Sequence, residues 1–178
     1  MTVQFDGRMG VAVLALSGAA LVGIALDEGY RERAYPDPVL GAKVATIGFG
    51  STAGVQLGQR TTPGAALERL ARDVQVFEGA LKRCVHVPLY QFEYDAFINL
   101  AYNIGGNAFC GSTVVKLLNA QDYAAACNAI LNWRMVGRVD CSVPGNRQCP
   151  GLWQRRLRQR ALCLGQGKAE ESVGASTP

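Results

Sequence analysis

The chain has 178 residues, of which 49% are hydrophobic and 18% charged, with a net charge of +4. That length suits one well-buried domain and not two, and that balance excludes an intrinsically disordered chain. The excess of positive charge is mild; it favours polyanionic surfaces in general and leaves nucleic acid, anionic lipid and cell wall open.

Six cysteines, Cys84, Cys110, Cys127, Cys141, Cys149 and Cys163, are many for a cytosolic chain of this size. None lies in a CxxC or Cys/His pattern with zinc spacing, so no metal site is expected. An even number without ligand spacing favours disulfides and an oxidising compartment such as a periplasm, the alternative being six buried thiols. Cys141 and Cys149 enclose the turn-rich SVPGNRQ and are expected to pair; the other four allow three pairings, which the sequence leaves open.

From Met9 to Leu26 runs MGVAVLALSGAALVGIAL, 18 residues without a charge, including three Gly, five Ala and one Ser. That is the lower limit for a bilayer-spanning helix, and its small residues make insertion weak enough to be reversible. Three readings compete: a cleavable signal peptide, a buried core helix, or a signal anchor that enters the membrane and later leaves it. A signal peptide is poorly served by an n-region in which Asp6 offsets Arg8. Cleavage after Ala25 would also place Glu28 beside a frayed terminus. The anchor is therefore the favoured reading.

After the apolar run come Glu28 and then Asp37, the latter fixed between Pro36 and Pro38. Val44 to Phe49, VATIGF, reads as a short strand closed by Gly48 and Gly50, giving a small hairpin. Thr62-Pro63 starts a helix to about Arg83, with Leu67, Leu70, Val74, Phe77 and Leu81 on its apolar face and Glu68, Arg69, Arg72, Asp73 and Lys82 on a solvated one. Pro88 opens a second helix with Phe92, Ala96, Leu100 and Ile104 buried, ended by Gly105-Gly106. Ser112 caps a short helix, residues 121–134 form another with Tyr123, Ile130 and Trp133, and a last helix runs from about Pro150 to Gly165 with Leu152, Trp153, Leu157, Ala161 and Leu164 as contacts. Residues 166–178 read as a flexible tail. The fold class is thus α+β, mostly helical, with a small β lobe near its N-terminal end. The division is an anchor at 1–26, a folded domain at 27–165 and the tail.

Two carboxylates in different surroundings suit glycoside hydrolysis, which needs one protonated acid at the leaving oxygen and one ionised group at the water or the developing cation. The apolar stretch before Glu28 favours its protonated form, and the polar turn around Asp37 its ionised form. His86, the single histidine, lies between apolar residues without a nucleophile or second ligand and reads as structural. The arginines at 155, 156, 158 and 160 are expected to divide between packing stems and solvated heads; with no recognition motif, no nucleic-acid partner is expected.

The run EG, AYPD and TIGFG followed by Ser-Thr resembles the glutamate, aspartate and threonine signature of the T-even type phage lysozymes, glycoside hydrolase family 24. The resemblance continues through QFEYDAFINLAYNIG, GSTVVKLLNAQDY and GLWQRR, so it covers roughly residues 28 to 160. With the Gly/Ala-rich run before it, the chain further resembles the signal-anchor-release endolysins. The resemblance implies a lysozyme-like two-lobed domain and a cofactor-free muramidase that cleaves the β-1,4 bond between N-acetylmuramic acid and N-acetylglucosamine with inversion. Carried over by position, Glu28 is the general acid, Asp37 orients or activates water, and Thr46 helps to hold that water. Thr52, Tyr102 and Ser112 match glycan contacts, although Tyr102 otherwise reads as core. The implied partners are peptidoglycan strands and, through residues 9–26, the host inner membrane; the implied location is its periplasmic face and then the periplasm, as a monomer. A lytic transglycosylase and a non-catalytic wall-binding protein are the alternatives.

Two departures stand out. Eight residues, PVLGAKVA, separate Asp37 from Thr46, a longer connection than the family's, and Gln159 stands where the family often has Glu after its arginine pair. A buried ion pair is then either missing or replaced by an amide hydrogen bond. With no cysteine before Cys84, thiol exchange between anchor and active site is excluded.

Overall fold

The computed structural model describes residues 7–37 and 41–166. The chain divides into two compact units, one of residues 17–78 and one of residues 1–16 with 79–178. The flexible tail expected at 166–178 lies, beyond Gln166, outside the described residues.

The unit of residues 17–78 begins with helix α1, Gly18–Glu28. Ser17 caps it, its hydroxyl accepting from the Ala20 amide at 3.1 Å, and Gly29 closes it at φ 71°, a left-handed value that favours glycine. Strands β1, Arg31–Asp37, and β2, Gly41–Gly48, form an antiparallel hairpin. Its register pairs Arg31 with Gly48, Tyr35 with Thr46, Pro36 with Ala45 and Asp37 with Gly41. The step from the Pro36 pair to the Asp37 pair consumes one residue on β1 and four on β2. The longer connection noted in the sequence is thus absorbed as an irregularity in β2, leaving Thr46 across from Tyr35. Residues 59–61 extend β1 on its other edge, through Ala34 N–H to Gln59 C=O and Thr61 N–H to Glu32 C=O. The Arg60 guanidinium pairs with Glu32 there and holds that carboxyl below its ordinary range.

Helix α2, Pro63–Cys84, starts where Thr62-Pro63 predicts, with the Thr62 hydroxyl accepting from the Ala65 amide. Ala66, Leu70 and Val74 are its buried side chains in this unit. Its charged face is not wholly solvated. Asp73 accepts from the buried Ser51 hydroxyl at 2.5 Å, and Arg69 donates to the Ala53 carbonyl. Gly48, at φ 66°, lies so close to α2 that an added Cβ would sit 2.8 Å from the Ala66 Cβ, which excludes any side chain there.

The second unit is built around helix α3, Gln91–Ile104, in which every residue from Glu93 to Ala101 is buried. A helix buried all round is wider in its contacts than one apolar stripe. Tyr94 and Phe97 therefore belong to the core with Ala96 and Leu100, while Phe92 and Ile104, expected inside, are only half-buried. Gly105 caps α3 at φ 91°, but Gly106 starts the next helix, α4, Gly106–Cys110, and does not end the previous one. Helix α5, Thr113–Asn119, is capped by Ser112 as expected, and α6, Tyr123–Ala129, is shorter than the 121–134 predicted, giving way to a 3-10 turn at Ile130–Asn132. The following strands β3, Met135–Val136, and β4, Val139–Asp140, form a small hairpin that periodicity does not reveal. Asp140 organises it: its carboxylate accepts from the Ser142 hydroxyl and amide and from Arg134, and those bonds lower its pKa.

Helix α7, Pro150–Cys163, has Pro in its first turn, but its buried face differs from the expected one. Arg155, Arg156, Gln159 and Cys163 are buried, whereas Leu157 is exposed. Three disulfides join the six cysteines: Cys84–Cys110, Cys127–Cys163 and Cys141–Cys149. The expected short loop is confirmed, and the alternative of buried thiols is excluded.

The apolar run is not a single anchor helix. Among the described residues no helix is long and apolar enough to cross a membrane. The run breaks into a 3-10 turn at Val11–Val13, an extended stretch and α1. The break has local causes: Ser17 is committed as an N-cap, and the first part is fastened to its own unit. Met9 pairs with Leu89 in a two-bond bridge, Leu14 is buried, and the Gln91 amide donates to the Ala15 carbonyl. Arg8 forks onto the buried Glu93 at 2.8 and 3.0 Å and lies over the rings of Tyr90 and Tyr123, at 4.3 and 3.7 Å.

Candidate active site

Glu28, Asp37, Thr46 and Thr52 all lie in the unit of residues 17–78, and Tyr102 and Ser112 in the other. Glu28 is the last residue of α1, half-buried, and its backbone direction is fixed by the Gly29 cap before β1 begins. Asp37 ends β1 opposite Gly41. Thr46 stands across the hairpin from Tyr35, two residues before Asp37 on the neighbouring strand. The hairpin therefore brings the aspartate and threonine positions to one end of one small sheet, despite eight intervening residues.

Thr46 is 4% exposed, and its hydroxyl makes no hydrogen bond to the protein among the described residues. A buried hydroxyl left without a partner costs about 1–3 kcal/mol. Such a group suits a position that must bind something other than the protein. Thr52, by contrast, is exposed beyond the turn, which is held by Ile47 and Ser51 exchanging backbone hydrogen bonds at 2.9 and 3.1 Å.

In the second unit, Ser112 is 7% exposed and its hydroxyl is already engaged as the cap of α5, accepting from the Val115 amide at 3.4 Å. It nonetheless lines a hollow of 310 Å³ together with Gly111, Thr113, Ala129, Asn132 and Trp133. Hydroxyl and amide groups beside an aromatic side chain form the mixed lining that a sugar ring requires. Thr113 and Asn132 escape sequence reasoning and Trp133 reads there as a helix contact, because the hollow forms only where α6 ends early and the chain turns through Trp133. Tyr102 is half-buried on α3.

Behind the hollow lies a buried polar network. Arg156, 2% exposed, donates from Nε to the Trp133 carbonyl at 2.8 Å, from Nη1 to Gln159 Oε1 at 2.9 Å and from Nη2 to Asn103 Oδ1 at 2.5 Å. Gln159 passes the chain on to Asn99 Oδ1 at 2.8 Å, which also accepts from Arg155. The amide at position 159 thus makes the hydrogen bonds in place of an ion pair. Arg158 is exposed and Arg160 bonds Asn128, so the arginine cluster divides between interior and surface. His86 is exposed, only its backbone amide bonding Asn119, and no cluster of metal-ligating side chains occurs among the described residues.

The family model "Phage lysozyme" matches residues 25–159. The endolysin of Salmonella phage P22 is 36% identical over 158 residues, covering 85% of this chain and 99% of its own length. The SAR-endolysin of Pseudomonas phage phiKMV is 34% identical over 84% of this chain and 89% of its own length. Among solved structures, the muramidase domain of SpmX from Asticaccaulis excentricus superposes with a TM-score of 0.74 at 30% identity, covering 85% of this chain and 98% of that one. The match spans the α1 terminus, the hairpin and the polar face of α7, and on that ground the chain belongs to the phage lysozyme family of glycoside hydrolases.

Proposed function

We propose that the protein is an endolysin that hydrolyses the β-1,4 bond between N-acetylmuramic acid and N-acetylglucosamine in peptidoglycan, with inversion at the reacting carbon. Glu28 donates its proton to the leaving oxygen, Asp37 orients and activates the attacking water, and Thr46 holds that water. The observation that carries this reading is the buried Thr46 hydroxyl, without a hydrogen-bond partner among the described residues and set by the hairpin register beside the Asp37 position. A hydroxyl kept there at a cost to folding points to a bound water or substrate group. Thr46→Val removes the hydroxyl at nearly constant volume. The expected result is a variant more stable by about 1 kcal/mol in urea unfolding and slower on peptidoglycan by roughly 10²-fold. A variant that is destabilised, or that keeps full activity, contradicts the role.

We also propose that residues 9–26 first hold the protein in the host inner membrane and that their release into the packed arrangement accompanies activation in the periplasm. Support comes from the uncharged run of 18 residues and from its four large apolar side chains that stay exposed when packed, Met9, Val13, Val22 and Leu26. Likeness to relatives named SAR-endolysins points the same way. Protein held in inner-membrane vesicles should show lower specific activity on added peptidoglycan than protein freed from them. Equal activities would mean that membrane release does not control the enzyme.

A further inference from the structure

We propose that Trp133 is a glycan-binding residue and that Arg156 is the positioning residue that sets it. The proposal rests on the hydrolase reading above and adds to it a binding wall and its support, for an N-acetylated amino-sugar of the substrate strand. Trp133 stands where the 3-10 turn at Ile130–Asn132 ends and before β3, with φ −86° and ψ 51°, outside any regular element. A side chain at such a point has no helix or ladder to fix its backbone, so something else must. The Trp133 carbonyl accepts from Arg156 Nε, and the Trp133 amide donates to the Ile130 carbonyl at 3.2 Å. On the far side, the Cys141 amide returns to the Arg134 carbonyl, so the disulfide-closed loop is tied back next to Trp133.

Arg156 spends a buried charge on this task. Its three hydrogen bonds run in three directions, to Trp133, to Asn103 on α3 and to Gln159 on its own helix. A planar fork is needed for that; a lysine ammonium cannot span the same set. The object positioned is one wall of the 310 Å³ hollow, large enough for a single sugar ring, with Thr113 and Asn132 exposed beside it as partners for hydroxyl or acetamido groups. The apolar face of a pyranose or the acetamido methyl group is the natural partner of the indole.

The test uses the full chain and a soluble glycan, uncross-linked peptidoglycan strands for turnover and the β-1,4 tetramer of N-acetylglucosamine for binding. Trp133→Ala and Arg156→Lys are each expected to raise KM about tenfold while kcat changes less than about twofold. Trp133→Ala lies outside the core and keeps the test valid if the arginine variant folds poorly. In a Trp153→Phe background Trp133 is the only indole left of two, and its emission should change on adding the tetramer. That change should weaken when Arg156→Lys is added. An unchanged KM in either variant, a loss confined to kcat, or a loss that follows the unfolded fraction by circular dichroism overturns the proposal. A wild-type chain that cleaves no glycan yet shows the emission change would refute the hydrolase reading and leave this one standing.

Discussion

Glu28→Gln is expected to abolish lysis. Turnover of purified peptidoglycan is expected to fall by roughly 10²–10⁴-fold, the range in which positioned proton donors contribute, while the thermal midpoint stays close to that of the wild type. The change keeps the size and most of the hydrogen bonding of a side chain that is half-buried at the end of α1, so folding has little to lose. A glutamine has no acidic proton to give to a leaving oxygen, and no histidine within residues 17–78 could replace the proposed donor, His86 lying outside them. A glutamine variant that keeps more than about a tenth of the activity would move the acid elsewhere.

The second large effect falls on stability. Cys127 and Cys163 close a loop of 36 residues between α6 and α7, and both are 1% exposed. Loop-closure entropy assigns this bridge about 4 kcal/mol, against roughly 2–3 kcal/mol for Cys141–Cys149, which closes only 8 residues. Replacing Cys127 and Cys163 together by Ala should therefore lower the melting temperature by about 8–16 °C, more than the same replacement at Cys141 and Cys149. The reverse order would mean that the short loop, with its Asp140 and Asn146 hydrogen bonds, folds as part of the core and is not an appended clasp.

Where local chemistry dictates local structure, the fold is legible in the sequence. Thr62-Pro63 and Ser112 announced two helix starts, and the turn residues between Cys141 and Cys149 announced their pairing. Tertiary partners decided the rest. The run from Met9 to Leu26 reads as one apolar helix because nothing within it objects; Arg8, Met9 and Leu14 are claimed by Glu93, Leu89 and the core, and Ser17 starts a new helix instead. Helix α7 shows the opposite error. Hydropathy turns its leucines inward, but Arg155, Arg156 and Gln159 take the buried face because α3 offers Asn99 and Asn103 as partners.

The candidate site was legible only as an order of residues. The order Glu28, Asp37, Thr46 carried the resemblance, and the irregular step in β2 explains how a longer connection still returns Thr46 to the end of the hairpin. Trp133 reads from the sequence only as an apolar contact of a helix over 121–134; its place beside the hollow comes from the early end of that helix and from a guanidinium 23 positions later.

Mass spectrometry of the fragments released from purified peptidoglycan tests hydrolysis at the muramic acid linkage. The expected fragments end in reducing N-acetylmuramic acid, with one water gained for each bond broken, and none come from Glu28→Gln. Anhydro ends, reducing N-acetylglucosamine ends, or an identical digest from the variant would contradict it.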